Sequence, residues 1–143
     1  MEHFQKLERM YLSANVNTQI YDTTTISISE GESEISLEVN PKYFHALNAM
    51  HGSVYFKLLD DAAFFAVNSL VKDVFVLTTS LNINLIRPVS SGKIIAKGKI
   101  RFKSQNVFMA EASLVDENNK EIGFGSDSFM KSKVELSEEI GYK

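Results

Sequence analysis

Apolar residues near the start of the chain recur at helical spacing. Phe4, Leu7, Met10 and Tyr11 predict a short amphipathic helix over residues 2–13. The pattern then changes to alternation. Ile26 and Ile28, followed by Ile35, Leu37 and Val39, predict strands over 24–29 and 34–39, with Glu30-Gly31-Glu32-Ser33 as the hairpin turn between them. Asn40-Pro41 closes the pair, and residues 42–52 read as irregular. From Ser53 to Leu70 the chain is mostly apolar and holds neither Gly nor Pro. That run is too long for a typical strand and predicts a helix over 54–70, with Ser53 as its cap. Four strand-like runs follow, over 75–87, 93–103, 107–116 and 121–131. They are separated by Pro88, by a Ser-Ser-Gly turn and by Glu117-Asn118-Asn119-Lys120. The polar tail, residues 133–143, is expected to fray.

The order is therefore helix, two strands, one long apolar helix, four strands. Grouped strands with few helices imply an α+β fold with an antiparallel sheet. A helix apolar nearly all round must be buried. The expected packing is a sheet of five to six strands wrapped around one long central helix. The length, 143 residues, fits a single domain over 1–143 with a core of useful size. A content of 44% hydrophobic and 23% charged residues is that of a globular chain. The net charge of −3 argues against a general nucleic-acid partner. The absence of cysteine removes disulfides, thiolate metal sites and a cysteine nucleophile. The first residues, MEHFQKLERMYL, hold no apolar signal core, and no run approaches the roughly 20 residues of a membrane span. These features point to a soluble, cytoplasmic protein with no membrane partner.

The long helix carries the candidate chemistry. Lys57, Asp61 and Asn68 fall within about 40° of one another around its axis, a narrow polar stripe best read as a solvated or interface edge. Lys57 and Asp61 are spaced to pair. Asp60 stands about 100° from Asp61, on the side of Phe56, Ala63 and Val67. A carboxylate there is desolvated. It either caps a loop or pairs with Lys57, or it faces a cavity that needs a carboxylate, and the pattern leaves both open. His45-Ala-Leu-Asn48-Ala-Met-His51-Gly52 leads into the helix. A glycine at a helix start can bring its N–H close to a ligand, and the helix dipole adds partial positive charge. Such a donor with a carboxylate two turns on can polarise a carbonyl and attack it, or activate water against it.

His51-Gly52-Ser53, followed by Leu59-Asp60, resembles the H-G-G…(D/E) signature of PaaI-type hotdog-fold acyl-CoA thioesterases, in which the acid lies nine residues after the His. The likeness extends to Thr78, ten residues before Pro88, to the run Asn82-Ile83-Asn84-Leu85-Ile86-Arg87-Pro88 and to Gly92, and covers roughly residues 20–132. The resemblance implies hydrolysis of an acyl-CoA without a cofactor. By it, the Gly52 N–H holds the thioester carbonyl, Asp60 is nucleophile or general base, and Thr78 orients the attacking water. It also implies a homodimer with sheets joined edge to edge, Asp60 and Gly52 coming from opposite subunits, and commonly a homotetramer. Two positions depart from the signature. Ser53 replaces the second Gly, and His45 stands where Asn or Gln contacts the thioester. An imidazole can donate the same bond, and Asn48 is the other candidate. His51, Ser53, Phe56 and Phe64 complete the expected substrate contacts. The aromatic residues suggest a small aromatic or medium-chain acyl group.

Other constellations are weaker. His45, His51 and Asp60 match no zinc spacing, so no metal is expected. No G-x-S-x-G elbow and no P-loop occur. Lys93, Lys97, Lys99, Arg101 and Lys103 alternate with Ile94, Ala96, Ile100 and Phe102. This basic ribbon reads first as an ordinary charged sheet face and second as a contact for coenzyme A phosphates. A hotdog dehydratase or hydratase is the alternative enzyme, although its Pro-rich H-F-P loop is missing and Pro41 and Pro88 are the only prolines. A non-catalytic acyl-CoA-binding protein is the third reading.

Overall fold

A computed structural model describes residues 2–143 and turns the long apolar run into a central helix, α2 (Gly52–Asn68). It begins two residues earlier than the sequence pattern suggests. His51, not Ser53, is the cap, its Nδ1 accepting the Ser53 N–H at 3.0 Å. Before α2 come α1 (Glu2–Ser13), a π-helical turn (Val16–Ile20), β1 (Thr25–Ser29), β2 (Glu32–Glu38) and a short 3-10 turn (Pro41–Tyr43). After it come β3 (Val74–Leu85), β4 (Lys93–Lys103), β5 (Val107–Val115) and β6 (Glu121–Glu135). All pairings are antiparallel, and the strand order is β1-β2-β4-β5-β6-β3. This is the expected α+β hotdog arrangement, with six strands around one central helix. Among the described residues no helix is long and apolar enough to cross a membrane.

The hairpin turn is tighter than expected. Glu32 and Ser33 belong to β2, leaving Glu30 and Gly31, and Gly31 adopts φ +74°, a conformation that favours glycine. Small residues let α2 settle close onto the sheet. A Cβ at Gly98 of β4 would sit 2.1 Å from the Ala62 carbonyl oxygen, and Ser33 Oγ donates to that oxygen at 2.5 Å. Leu58, Leu59, Ala62, Ala63, Ala66 and Val67 of α2 are fully buried against the strands. Burial of this kind contributes about 25 cal/mol per Å² of apolar surface.

Two β-bulges change what alternation alone would give. In β3 the register shifts between Thr78 and Ser80, and in β4 between Ile100 and Phe102. The second bulge overturns the ribbon reading. Phe102 lies opposite Met109 and is half exposed, whereas Lys103 lies opposite buried Phe108. Arg101 is the bulged residue, so the five cations do not share one face. Lys103 is the one that leaves it: Arg101 stays on the outer face, 3.6 Å from Glu111, which lies opposite Lys99, and Lys93, Lys97 and Lys99 lie opposite Glu38, Glu34 and Glu32 of β2.

The tail does not fray. β6 continues to Glu135, a 3-10 turn covers Glu138–Ile140, and Tyr142 returns to α1, with His3 Nδ1 2.8 Å from its hydroxyl. α1 also blocks one sheet edge, since Glu8 Oε2 accepts the Ile28 N–H at 2.8 Å. The other edge, β3, pairs with no further strand among the described residues.

Candidate active site

The buried Asn68 side chain fixes the strand that meets Asp60. Its Nδ2 donates to the Val71 and Val74 carbonyls at 3.0 and 3.1 Å, and its Oδ1 accepts the Val76 N–H at 3.2 Å. This ties the end of α2 to the start of β3. Two residues on, Thr78 Oγ1 donates to Asp60 Oδ1 at 3.0 Å. Both residues line a cavity of about 470 Å³, walled by Tyr11, Phe64, Phe75, Leu77 and Ile140. Phe64 packs edge-on or tilted against Phe65, Phe75 and Phe129 at ring separations of 4.9, 5.0 and 6.1 Å. Phe56, expected beside it, is 48% exposed and lies outside that cavity.

The polar stripe of α2 is not a solvated edge. α1 and the π-helical turn cover it. Lys57 Nζ reaches Asp61 Oδ2 at 2.7 Å, Asn17 Oδ1 at 2.8 Å and the Tyr11 hydroxyl at 3.0 Å, and Tyr11 donates to Asp61 at 2.7 Å. Burial raises the pKa of Asp61 against the opposing pull of Lys57, and it raises that of Tyr11, with Asp61 adding to the effect. Among the described residues Asn68 makes no side-chain hydrogen bond to this cluster and serves the α2–β3 join instead. Asp60 pairs with Thr78, not Lys57, and is partly exposed at the cavity mouth.

The carboxylate that is buried without a hydrogen-bond partner is a different one. Asp127 of β6 is 2% exposed, and neither of its oxygens meets a hydrogen-bond donor among the described residues. Burial, then Asp60, then Asp61, push its pKa up to about 9. Its residue type alone does not single it out in the sequence. Its parity with Phe129 within β6 is the signal that places it on the inward face.

At the other end of α2, among the described residues, no acceptor takes the Gly52 N–H, one of the free donors of a helix start. Gly52 and His45 line a hollow of about 290 Å³ with Tyr55, Leu85 and Arg87. The Leu47 N–H donates to His45 Nδ1 at 3.1 Å, which leaves the imidazole proton on Nε2 as a donor. Asn48 is exposed, adopts φ +60°, and its carbonyl accepts from Ser90 Oγ at 3.2 Å, so it shapes the turn. His51 and Ser53 bond to each other, Nδ1 to Oγ at 2.9 Å. One protomer thus brings Asp60 to Thr78 and His45 to Gly52, but it does not join the two pairs. Eight residues of helix, about 12 Å, separate Gly52 from Asp60. Among the described residues no three His, Asp or Glu side chains form a metal-binding cluster.

The family model of the thioesterase superfamily matches residues 47–122, just over half of the chain. Among solved structures, the PaaI protein of the phenylacetic acid degradation operon of E. coli superposes with a TM-score of 0.82 at 17% identity, covering 95% of this chain and 97% of that one. A thioesterase of Haemophilus influenzae superposes with a TM-score of 0.78 at 20% identity, covering 90% of each. A Saccharolobus solfataricus protein described as a "putative esterase" is 25% identical over 92 residues, which span 64% of this chain and 61% of that relative's length.

Proposed function

The chain belongs to the thioesterase superfamily, and on that footing we propose that it hydrolyses the thioester of an acyl-CoA, in an active site shared between two copies. The observation that carries this reading is the bond from Thr78 to Asp60 at the mouth of an apolar cavity. It puts a carboxylate beside a hydroxyl and next to space for an acyl chain. A free N–H at the start of the same helix supplies the second element.

The roles follow from the chemistry. The thioester carbonyl oxygen accepts the Gly52 N–H, aided by the helix dipole and by His45 Nε2–H. Water held by Thr78 attacks the carbonyl carbon while Asp60 takes its proton. The C–S bond then breaks, and the thiolate of coenzyme A takes that proton from Asp60, leaving a free carboxylic acid. Direct attack by Asp60, through an anhydride that water later opens, uses the same groups. Phe64 with Phe75 and Tyr11 favours a small aromatic or medium-chain acyl group.

Assembly follows from the separation of the two pairs. A carbonyl cannot meet Gly52 and Asp60 of one helix when about 12 Å lies between them. A second copy brings its own Gly52 to the first copy's Asp60. The free edge of β3 suits such a partner, since it runs 12 residues and exposes Leu77 and Leu85 at 51% and 48%. A homodimer, or a homotetramer made of two, is the expected working form. The test is an assay of free thiol release over a panel of acyl-CoAs, with light scattering on the same sample. Hydrolysis by a species larger than 16.1 kDa is expected. No thiol release, or an active monomer, contradicts the reading.

A further inference from the structure

Asp127 has no place in the scheme above, yet its position is tightly determined. In β6, Phe129 lies opposite Thr78 and packs on Phe64 of α2. Alternate residues of a strand share a face, so Asp127, two positions earlier, also points at α2. It is 2% exposed, and neither oxygen meets a donor among the described residues. Its cross-strand neighbours, Leu81 of β3 and Ala110 of β5, carry no charge. The charged groups that act on it are Asp60 and, more weakly, Asp61, both on α2. Asp61 is already engaged by Lys57 and Tyr11.

Two ionised carboxylates side by side repel and cannot bond to each other. If one carries a proton, it donates to the other. Asp60 is partly exposed and already accepts from Thr78, whereas Asp127 is enclosed and has no donor among the described residues. The proton therefore belongs on Asp127. Deepening the reading of Asp60 as base or nucleophile, and resting on it, we propose that protonated Asp127 is a positioning residue that donates a hydrogen bond to Asp60, so that the two form a carboxyl–carboxylate pair sharing one proton. Thr78 and Asp127 then hold Asp60 from two sides.

The pair predicts a pH signature. As pH rises, Asp127 loses its proton, the bond is replaced by repulsion, and Asp60 leaves its working position. Its pKa, pushed up to about 9, places that loss on the alkaline side of neutrality. An amide at position 127 donates the same bond and does not titrate.

The experiment compares the full-length wild-type protein with Asp127→Asn and Asp127→Ala. Acyl-CoA hydrolysis is followed across pH, and infrared spectra record the protonated carboxyl stretch at neutral pH. The wild type should show that band and an alkaline fall in kcat/KM. Asp127→Asn should lose both while keeping its neutral-pH rate within about threefold, and Asp127→Ala should fall about tenfold or more in kcat with little change in KM. A wild type without the band, an alkaline fall that persists in Asp127→Asn, or equal rates in both variants overturns the pair. If no acyl-CoA is hydrolysed at any pH, the thioesterase reading fails, and the infrared band alone still decides whether the carboxyls share a proton.

Discussion

Thr78 Oγ1 donates to Asp60 Oδ1 at 3.0 Å, and this bond joins β3 to α2 at the cavity mouth. Its hydroxyl also keeps lone pairs for a water. Thr78→Ser should keep activity within about threefold, and Thr78→Val should lose roughly 10- to 100-fold in kcat. Asp60→Asn should lose at least about 100-fold, because an amide is neither base nor nucleophile. Steady-state kinetics on folded variants check all three. An active Asp60→Asn enzyme would remove Asp60 from the chemistry.

Asp61 should behave as a structural residue. Its carboxylate is the charged partner of Lys57 in a cluster closed over by α1. Sequence spacing alone makes this an ordinary helix pair worth a few tenths of a kcal/mol. The enclosure raises the expected loss for Asp61→Asn to roughly 1–3 kcal/mol of stability. Denaturant unfolding measures that loss, and kcat should change little. A large drop in kcat with unchanged stability would contradict the assignment.

Stability should also depend on pH through Asp127. Its folded pKa lies above the ordinary value of 3.8, at about 9. The stability it contributes is present in full below the ordinary value and is lost as pH rises towards the folded one. Asp127→Asn should therefore be the more stable protein at neutral and mildly alkaline pH, with a flatter profile. Melting temperatures of the two proteins across that window check the sign.

His45 can donate through Nε2 because the Leu47 N–H occupies Nδ1. His45→Gln should retain much of the activity, and His45→Ala should lose roughly 10- to 100-fold. Near-wild-type rates in both would leave the carbonyl to the Gly52 N–H alone. Lys97 and Lys99 lie opposite Glu34 and Glu32, so neutralising either should change KM for an acyl-CoA by less than about twofold at low salt.

The fold was legible because its signals are long. Seventeen helical residues that are apolar almost all round can only be a buried helix, and the strand runs are bounded by Gly, Pro and Asn. What escaped depends on contacts between distant residues. The bulge at Arg101 moves Phe102 to the outer face, and nothing local in Lys93–Lys103 announces it. His51 as cap displaces Ser53 through a ring nitrogen, an acceptor that sequence rules rank low. The stripe of Lys57 and Asp61 looked wet because its cover, Tyr11 and Asn17, comes from a part of the chain some 40 to 50 residues away. Asp60 and Thr78 could be paired in advance by resemblance alone. Asp127 could not, since its meaning lies in the lack of a donor around it among the described residues.

A site that takes Asp60 from one copy and Gly52 from another can be tested by mixing variants. Proline is tolerated at the first position of a helix, so Gly52→Pro removes the N–H with little cost to α2. Asp60→Asn and Gly52→Pro should each be inactive alone. In a twofold dimer that pairs one of each, one site carries both changes and the other carries neither. Refolded or co-expressed mixtures in equal amounts should therefore recover about one quarter of wild-type thiol release, since about half of the dimers are hybrids with one good site each. A mixture as inactive as its parents, with hybrid dimers shown to form, would place the whole site within a single copy.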